Sequence, residues 1–316
     1  MGVIESREAR REGSRLLIGI AGTSSSGKTY TALRLAYGLA NGNAKKIGFL
    51  DTENRRGSLY AEILPNKERF IIGDLLPPFS PDRYIAGIKH FQGKGSEVLI
   101  IDSVTHEWEG EGGCCDIAEN NKLGDMPNWA MAKGMHKRFM NTLLYCDMHI
   151  IACIRAREKA KPQKVRDEKT GRMKTVYVPI GDGPEPVCEK NFMFEMTVSM
   201  VMEDLGRKQR IKKCDPDLLP YLGRGTGYIT EEDGFAIRRW VDGHGELDAG
   251  AEQARNILQM TCADGTEALK NAWESTPKEI KVKLGAGFLE TVKASAAEYD
   301  RQRAEAAAGV PQEAGE

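Results

Sequence analysis

The tightest constraint on this chain is a run of eight residues, Gly22-Thr23-Ser24-Ser25-Ser26-Gly27-Lys28-Thr29, set between an apolar hexapeptide and an amphipathic stretch. Leu16-Leu17-Ile18-Gly19-Ile20-Ala21 predicts a buried strand. Thr29 to Ala40 predicts a helix with Ala32, Leu33, Leu35, Ala36 and Leu39 on one face. Strand, glycine loop and helix in this order fit G-x-x-x-x-G-K-[ST], in which backbone N–H groups and the helix N-terminus wrap phosphates. Glycine is needed where the chain comes too close for a side chain. The expected ligand is ATP with Mg²⁺, held by Gly22, Thr23, Ser24, Ser25, Ser26, Gly27, Lys28 and Thr29 with the adjoining Tyr30. Lys28 neutralises the β- and γ-phosphates, and the Thr29 hydroxyl ligates Mg²⁺.

Further apolar runs alternate with helical patterns. Ile47 to Leu50, Arg69 to Ile72, Val98 to Ile101 and His149 to Ile154 predict strands. Pro81 to Phe91, capped by Ser80, and Pro127 to Tyr145 predict helices. Near-continuous apolar strands separated by helices predict an α/β fold with a mostly parallel sheet covered on both faces. Val98-Leu99-Ile100-Ile101 ends in Asp102, the expected carboxylate of the Mg²⁺ shell. Ser103 follows it, so the group that activates water must stand elsewhere. Glu53, just past the strand that ends in Phe49-Leu50, is the expected general base, with Glu107 and Glu109 in reserve.

After Arg155 the pattern changes. Lys164 to Val178 predicts a hairpin around Asp167-Glu168-Lys169-Thr170-Gly171, and Met193 to Met202 and Arg207 to Cys214 predict strands. Between Arg155 and Val178 nine cations stand against three anions, in a chain whose net charge is −1. Such a local excess most commonly binds phosphate backbones. The expected DNA contacts are Arg157, Lys159, Lys161, Lys164, Arg166, Lys169, Arg172 and Lys174, with Met173 and Tyr177 as packing or base-stacking residues.

Val241 to Gly245 predicts a boundary, followed by a small helical segment over 243–303 with a capping box at Thr276 to Glu279. Residues 1–14 form an N-terminal arm, 15–242 the ATPase domain, and 304–316 a disordered tail. The first residues carry no apolar core of a signal peptide, and no run of about 18 apolar residues is present. The expectation is a cytoplasmic protein with its seven cysteines reduced. The five histidines form no metal-binding spacing, so no zinc is predicted.

In order and spacing, IGIAGTSSSGKT, FLDTEN, VLIIDSV and HIIACIR resemble the successive core motifs of the RecA family. With HEWEGEGG and WAMAKGMHKRFMNTLL they resemble, more narrowly, the short RecA-like ATPases of bacteriophages. The Sak-four group of single-strand annealing proteins is among these. The resemblance covers about residues 15–240 and implies a RecA-like P-loop core with β-hairpin insertions. It places Glu53 at the catalytic glutamate, Asp102 at the magnesium carboxylate, and Arg155 where RecA carries a γ-phosphate-sensing glutamine. The segment after Arg155 corresponds to a DNA-binding loop. A basic residue on a late strand, among Arg207, Lys208, Arg210, Lys212 and Lys213, reaches a neighbouring subunit's ATP in such filaments. The alternatives there are DNA contact or a charged edge strand guarded against aggregation.

The implied activity is a DNA-dependent ATPase acting on single-stranded DNA, in phage recombination or annealing. Its partners would be further copies of the chain and a single-strand-binding protein. The other readings are an ATP-driven replication loader, a small-molecule P-loop kinase with Arg155 and Arg157 on a lid, and a DNA-binding protein that uses ATP as a structural ligand.

Overall fold

The computed structural model describes residues 14–166, 172–179, 181–242, 254, 257, 258 and 261–308. β1 (Leu17–Gly22) is buried at every position, and α1 (Lys28–Leu39) begins directly after the glycine loop. β2 (Ile47–Asp51), β3 (Ile71–Asp74), α2 (Pro81–Gly93) and β4 (Val98–Asp102) follow. Three helices come next: α3 (Thr105–Glu109), α4 (Cys114–Asn120) and α5 (Trp129–Tyr145). The chain continues with β5 (His149–Arg157), β6 (Ala160–Arg166), β7 (Met173–Pro179), β8 (Glu185–Pro186) and the single turn α6 (Phe192–Glu195). β9 (Val198–Glu203), β10 (Lys208–Lys213), α7 (Leu219–Leu222) and α8 (Glu231–Val241) complete this part.

The main sheet runs β10-β9-β1-β5-β4-β2-β3, parallel from β9 to β3, with β10 antiparallel at the edge. The short β8 pairs antiparallel with the end of β5, and β6 and β7 form a separate two-stranded sheet. Successive residues of a strand point to opposite faces, so each apolar strand supplies two cores. Ile18, Ile20 and Phe49 pack with Leu33 and Leu39 of α1 and Ile237 of α8. Leu17, Ala21 and Leu50 pack with Tyr84 and Phe91 of α2 and Phe139 of α5. The result is a RecA-like α/β P-loop core. Its order inserts β5 between the strand that leads into the glycine loop and the strand that ends in Asp102.

The chain divides into two compact units, Met1–Gly243 and His244–Glu316. In the second, helices Thr266–Ser275 and Lys278–Ala308 enclose a small core of Leu258, Cys262, Leu269, Leu284, Val292 and Ala296. Among the described residues no helix is long and apolar enough to cross a membrane.

Several boundaries differ from those the pattern predicts. β3 begins at Ile71, two residues later than expected, and the expected strand Met193 to Met202 splits into α6 and β9. The predicted capping box at Thr276 does not form: the Thr276 N–H donates to the Trp273 carbonyl at 3.1 Å and its hydroxyl donates to the Ala272 carbonyl at 2.9 Å. A capping box exists instead at Thr230 and Asp233, where α8 begins. The last helix continues through Ala308, into the segment expected to be a tail. Residues 1–13 of the expected arm, the hairpin turn 167–171 and residues 309–316 lie outside the described residues.

α1 and α8 cross where both present glycine. A Cβ on Gly38 would lie 2.0 Å from the Glu231 carbonyl oxygen, and one on Gly234 would lie 2.4 Å from that of Leu35. Gly134, exposed in α5, meets nothing within 4 Å. Gly38→Ala should therefore destabilise the protein by about 2 kcal/mol or more through overpacking. Gly134→Ala should stabilise it by about 0.5–1 kcal/mol, since alanine loses less backbone entropy in a helix. Urea unfolding midpoints test the pair, and equal effects of the two substitutions would contradict the close crossing.

Candidate functional site

Gly22 ends β1 with Arg155 paired on one side and Met202 on the other. A Cβ there would lie 2.3 Å from Ser26 Oγ and 2.9 Å from the Met202 carbonyl oxygen, so this point of the loop admits only glycine. Gly27 adopts the left-handed conformation, φ 92°, directly before α1. The Lys28 ammonium lies across the loop, donating to the carbonyls of Gly22 at 3.0 Å and Thr23 at 2.7 Å. α1 has no side-chain cap and no acidic residue in its first turn, which leaves its leading N–H groups to an anion. Ser26 Oγ is buried and has no hydrogen-bond partner among the described residues. Thr23, Ser24 and Ser25 are exposed along the loop. Glycines at the points of closest approach, uncapped N–H groups, a cation and an orphaned hydroxyl fit a bound triphosphate.

The two residues expected to hold Mg²⁺ also meet. The Thr29 hydroxyl donates to Asp102 Oδ2 at 2.6 Å. Asp102 is only 6% exposed, and burial pushes its carboxyl up to about 6, opposed by the Thr29 hydrogen bond and the Lys28 charge. A buried carboxylate with a hydroxyl ligand beside it is a hard-oxygen donor set that fits Mg²⁺.

Glu53 is placed by a turn built on Asp51. Asp51 is buried at the end of β2 and accepts from the N–H groups of Glu53 at 2.6 Å and Gly57 at 2.7 Å. Asp51 lies level with Asp102 in the parallel register of β2 and β4, so the turn carries Glu53 past the carboxyl ends of the strands. There Arg155 grips it. Arg155 Nε donates to Glu53 Oε1 at 2.7 Å, and Arg155 Nη2 donates to Oε2. Burial pushes the Glu53 carboxyl up, but the hydrogen bonds and charge of Arg155 outweigh this and hold it below the usual carboxylate range. Sequence reasoning assigned Glu53 and Arg155 separate roles and missed their pairing. His106 joins the site as well: its Nδ1 lies 2.8 Å from Thr52 Oγ1 and its ring stacks on Phe79. Burial and the Arg155 charge hold the imidazole below its usual range, so it is neutral at neutral pH.

The two reserve carboxylates are also engaged. Glu107 is fully buried and held by His136 Nδ1 at 3.0 Å, and Glu109 pairs with Arg157 at 3.2 Å. Tyr30 lies under the Arg34 guanidinium, 5.8 Å from its ring centroid, and Arg34 is itself bound to Glu231.

The structure sorts the cations beyond Arg155. Lys159, Lys161, Lys164, Arg166 and Arg172 are exposed on or beside β6 and β7, Lys174 belongs to β7, and Lys169 lies outside the described residues. The antiparallel register pairs Pro162 with Tyr177, Lys164 with Thr175 and Arg166 with Met173. Paired residues share a face, so Lys164, Arg166, Met173 and Tyr177 stand on one side of the hairpin. Met173 and Tyr177 are 63% and 73% exposed, which places them as surface residues and not as packing residues. On β10, Arg210 and Lys212 both bind Glu185 at 3.0 Å, and Lys213 donates to the Phe194 carbonyl at 2.8 Å. Arg207 pairs with Asp204 at 3.1 Å, and Lys208 is exposed. Of the five late-strand cations, Arg207, Arg210, Lys212 and Lys213 are thus occupied within the chain.

A carboxyl raised from the ordinary value near 4 to about 6 favours its neutral form in the folded protein. The cost of ionising Asp102 is therefore fully present above pH 6 and disappears as the pH falls towards 4. Without nucleotide or Mg²⁺, Asp102→Asn should raise stability by about 1–3 kcal/mol at pH 8 and leave it unchanged near pH 4. Thermal melts across that range provide the check. A variant less stable than wild type at pH 8 would contradict the buried, uncompensated carboxylate.

Residues 14–183 match the AAA domain family, more than half of the 316-residue chain. No curated protein matches the sequence. Among solved structures, a KaiC-like protein from the hyperthermophilic archaeon Pyrococcus horikoshii OT3 is similar at 16% identity. The similarity covers 65% of this chain and 81% of that one, with a TM-score of 0.39. On the match that spans its phosphate loop, Asp102 and β5, the chain belongs to the AAA domain family of P-loop ATPases.

Proposed function

We propose that the protein is an ATPase stimulated by single-stranded DNA, acting in recombination or annealing of the phage type that its motif order resembles. One observation carries this reading. Glu53 is held by Arg155, and the strand bearing Arg155 runs through Arg157 into the basic hairpin of β6 and β7. Lys28 would bind the β- and γ-phosphates, and Thr29 and Asp102 would hold Mg²⁺, which when bound neutralises charge on the phosphoryl oxygens. Glu53 orients and deprotonates the attacking water.

In the free protein Arg155 occupies the Glu53 carboxylate that must accept this proton. Phosphates on the hairpin compete for the cations that follow Arg155 and draw the end of β5 away, which frees Glu53. Tyr177 and Met173 share their face with Lys164 and Arg166, an arrangement suited to stacking bases while cations track the backbone. Further copies of the chain would supply a late-strand cation such as the exposed Lys208 to a neighbouring site. The reading places the protein in the cytoplasm of a host cell, where a single-strand-binding protein is a natural partner.

Steady-state ATP turnover with and without single-stranded DNA tests the proposal. DNA should raise the rate, and Glu53→Gln should keep nucleotide binding while slowing hydrolysis by roughly 10²–10⁴. Replacing Lys161, Lys164 and Arg166 together with alanine should weaken DNA binding for all sequences alike. It should also make the salt dependence shallower, by a slope of roughly 0.7 per lost contact. A rate indifferent to DNA, together with unchanged affinity and salt slope in the triple variant, would overturn the reading. ADP formed only with an added small-molecule acceptor would point to a kinase.

A further inference from the structure

One buried cluster serves neither the phosphate site nor the hairpin. Glu107 on α3, Cys114 at the start of α4 and His136 in α5 are all buried, and one donor atom from each lies within 4.8 Å of the other two. His136 Nδ1 is 3.1 and 3.0 Å from the two Glu107 oxygens, and the Cys114 thiol donates to Glu107 Oε1 at 3.2 Å. Trp108 closes one side, its ring stacked 6.1 Å from Trp129 and edge-on to His136 at 5.5 Å. α3 and α4 have 5 and 7 residues, too short to be stable as isolated helices. The small apolar cluster that joins them to α5 has only Cys114, Ala118 and Ala132 fully buried.

We propose that Glu107, Cys114 and His136 bind a structural zinc ion. A carboxylate, a thiolate and a neutral imidazole carry two negative charges together, which Zn²⁺ neutralises, so the ion would offset the cost of burying them. Tetrahedral zinc with bonds of about 2.0–2.3 Å sets its donor atoms roughly 3.3–3.6 Å apart, so the contacts of Glu107 with His136 and Cys114 need to open by only a few tenths of an ångström. A sulfur and a nitrogen donor select zinc over Mg²⁺ and Ca²⁺, which take oxygen. Zinc here fastens α3 to α4 and α5. α3 also carries Thr105, whose hydroxyl oxygen accepts from the Arg155 N–H at 2.8 Å, and His106, which reaches Thr52 beside Glu53. The ion thereby supports the Glu53–Arg155 pair from behind.

The test uses the full chain, purified without a metal-affinity step, stripped with chelator and reloaded in excess Mg²⁺ so that the phosphate site is saturated. About one zinc per chain by elemental mass spectrometry is expected, with a higher melting temperature than the stripped protein. Cobalt in its place should show a thiolate-to-cobalt charge-transfer band in the near ultraviolet, lost in Cys114→Ser and in His136→Ala. Should those variants fail to fold, the cobalt titration of the wild type alone decides. A folded, stripped wild type that takes up no stoichiometric zinc and shows no thiolate band would overturn the proposal. So would a band that survives Cys114→Ser in a folded variant.

Discussion

Parallel pairing of β5 with β1 on one side and β4 on the other decides where the charges of this protein can stand. The registers set Gly22 level with Arg155, and Asp102 level with Cys153 and Asp51. The phosphate loop, Asp102 and the turn carrying Glu53 therefore leave the same edge of the sheet, with Arg155 among them. Because β5 alone of the central strands extends into a basic hairpin, whatever binds there is linked by backbone to the residue that holds Glu53.

The site is assembled against an electrostatic gradient. Burial works against the charge of both Asp51 and Asp102, and neither has a cation as its hydrogen-bond partner. Asp51 is supported by two backbone N–H groups, Asp102 by a hydroxyl and the more distant Lys28 charge. Two apolar cores, one on each face of the sheet, supply the stability that offsets this cost. Glu53 is the exception, a carboxylate with a guanidinium in bidentate contact. Such a pair fixes geometry strongly, and it occupies both oxygens of the carboxylate.

The parts that sequence reading recovers are those encoded over short spans. The phosphate loop occupies eight consecutive residues, and a strand ending in Asp102 or a carboxylate just past β2 is visible from local pattern alone. Contacts set by tertiary packing are not. Glu53 and Arg155 lie 102 residues apart, and Glu107, Cys114 and His136 come from three helices with no motif spacing. Glu107 read as a reserve base because a sequence does not report burial. Tyr177 read as a packing or a base-stacking residue until the β6–β7 register put it on the face of Lys164 and Arg166. Met193 to Met202 misled because a run of methionine, phenylalanine and valine is apolar enough for a strand, whereas one helical turn precedes β9. The alanine-rich end of the last helix read as a tail although alanine is the strongest helix former.

The central claim is that Arg155 couples the hairpin to the catalytic carboxylate. Arg155→Ala tests it, with ATP turnover and DNA affinity measured on the same preparation. The account predicts that the variant binds nucleotide and single-stranded DNA as wild type does, while its turnover no longer responds to DNA. Stimulation by DNA equal to that of the wild type would show that the coupling runs through some other path.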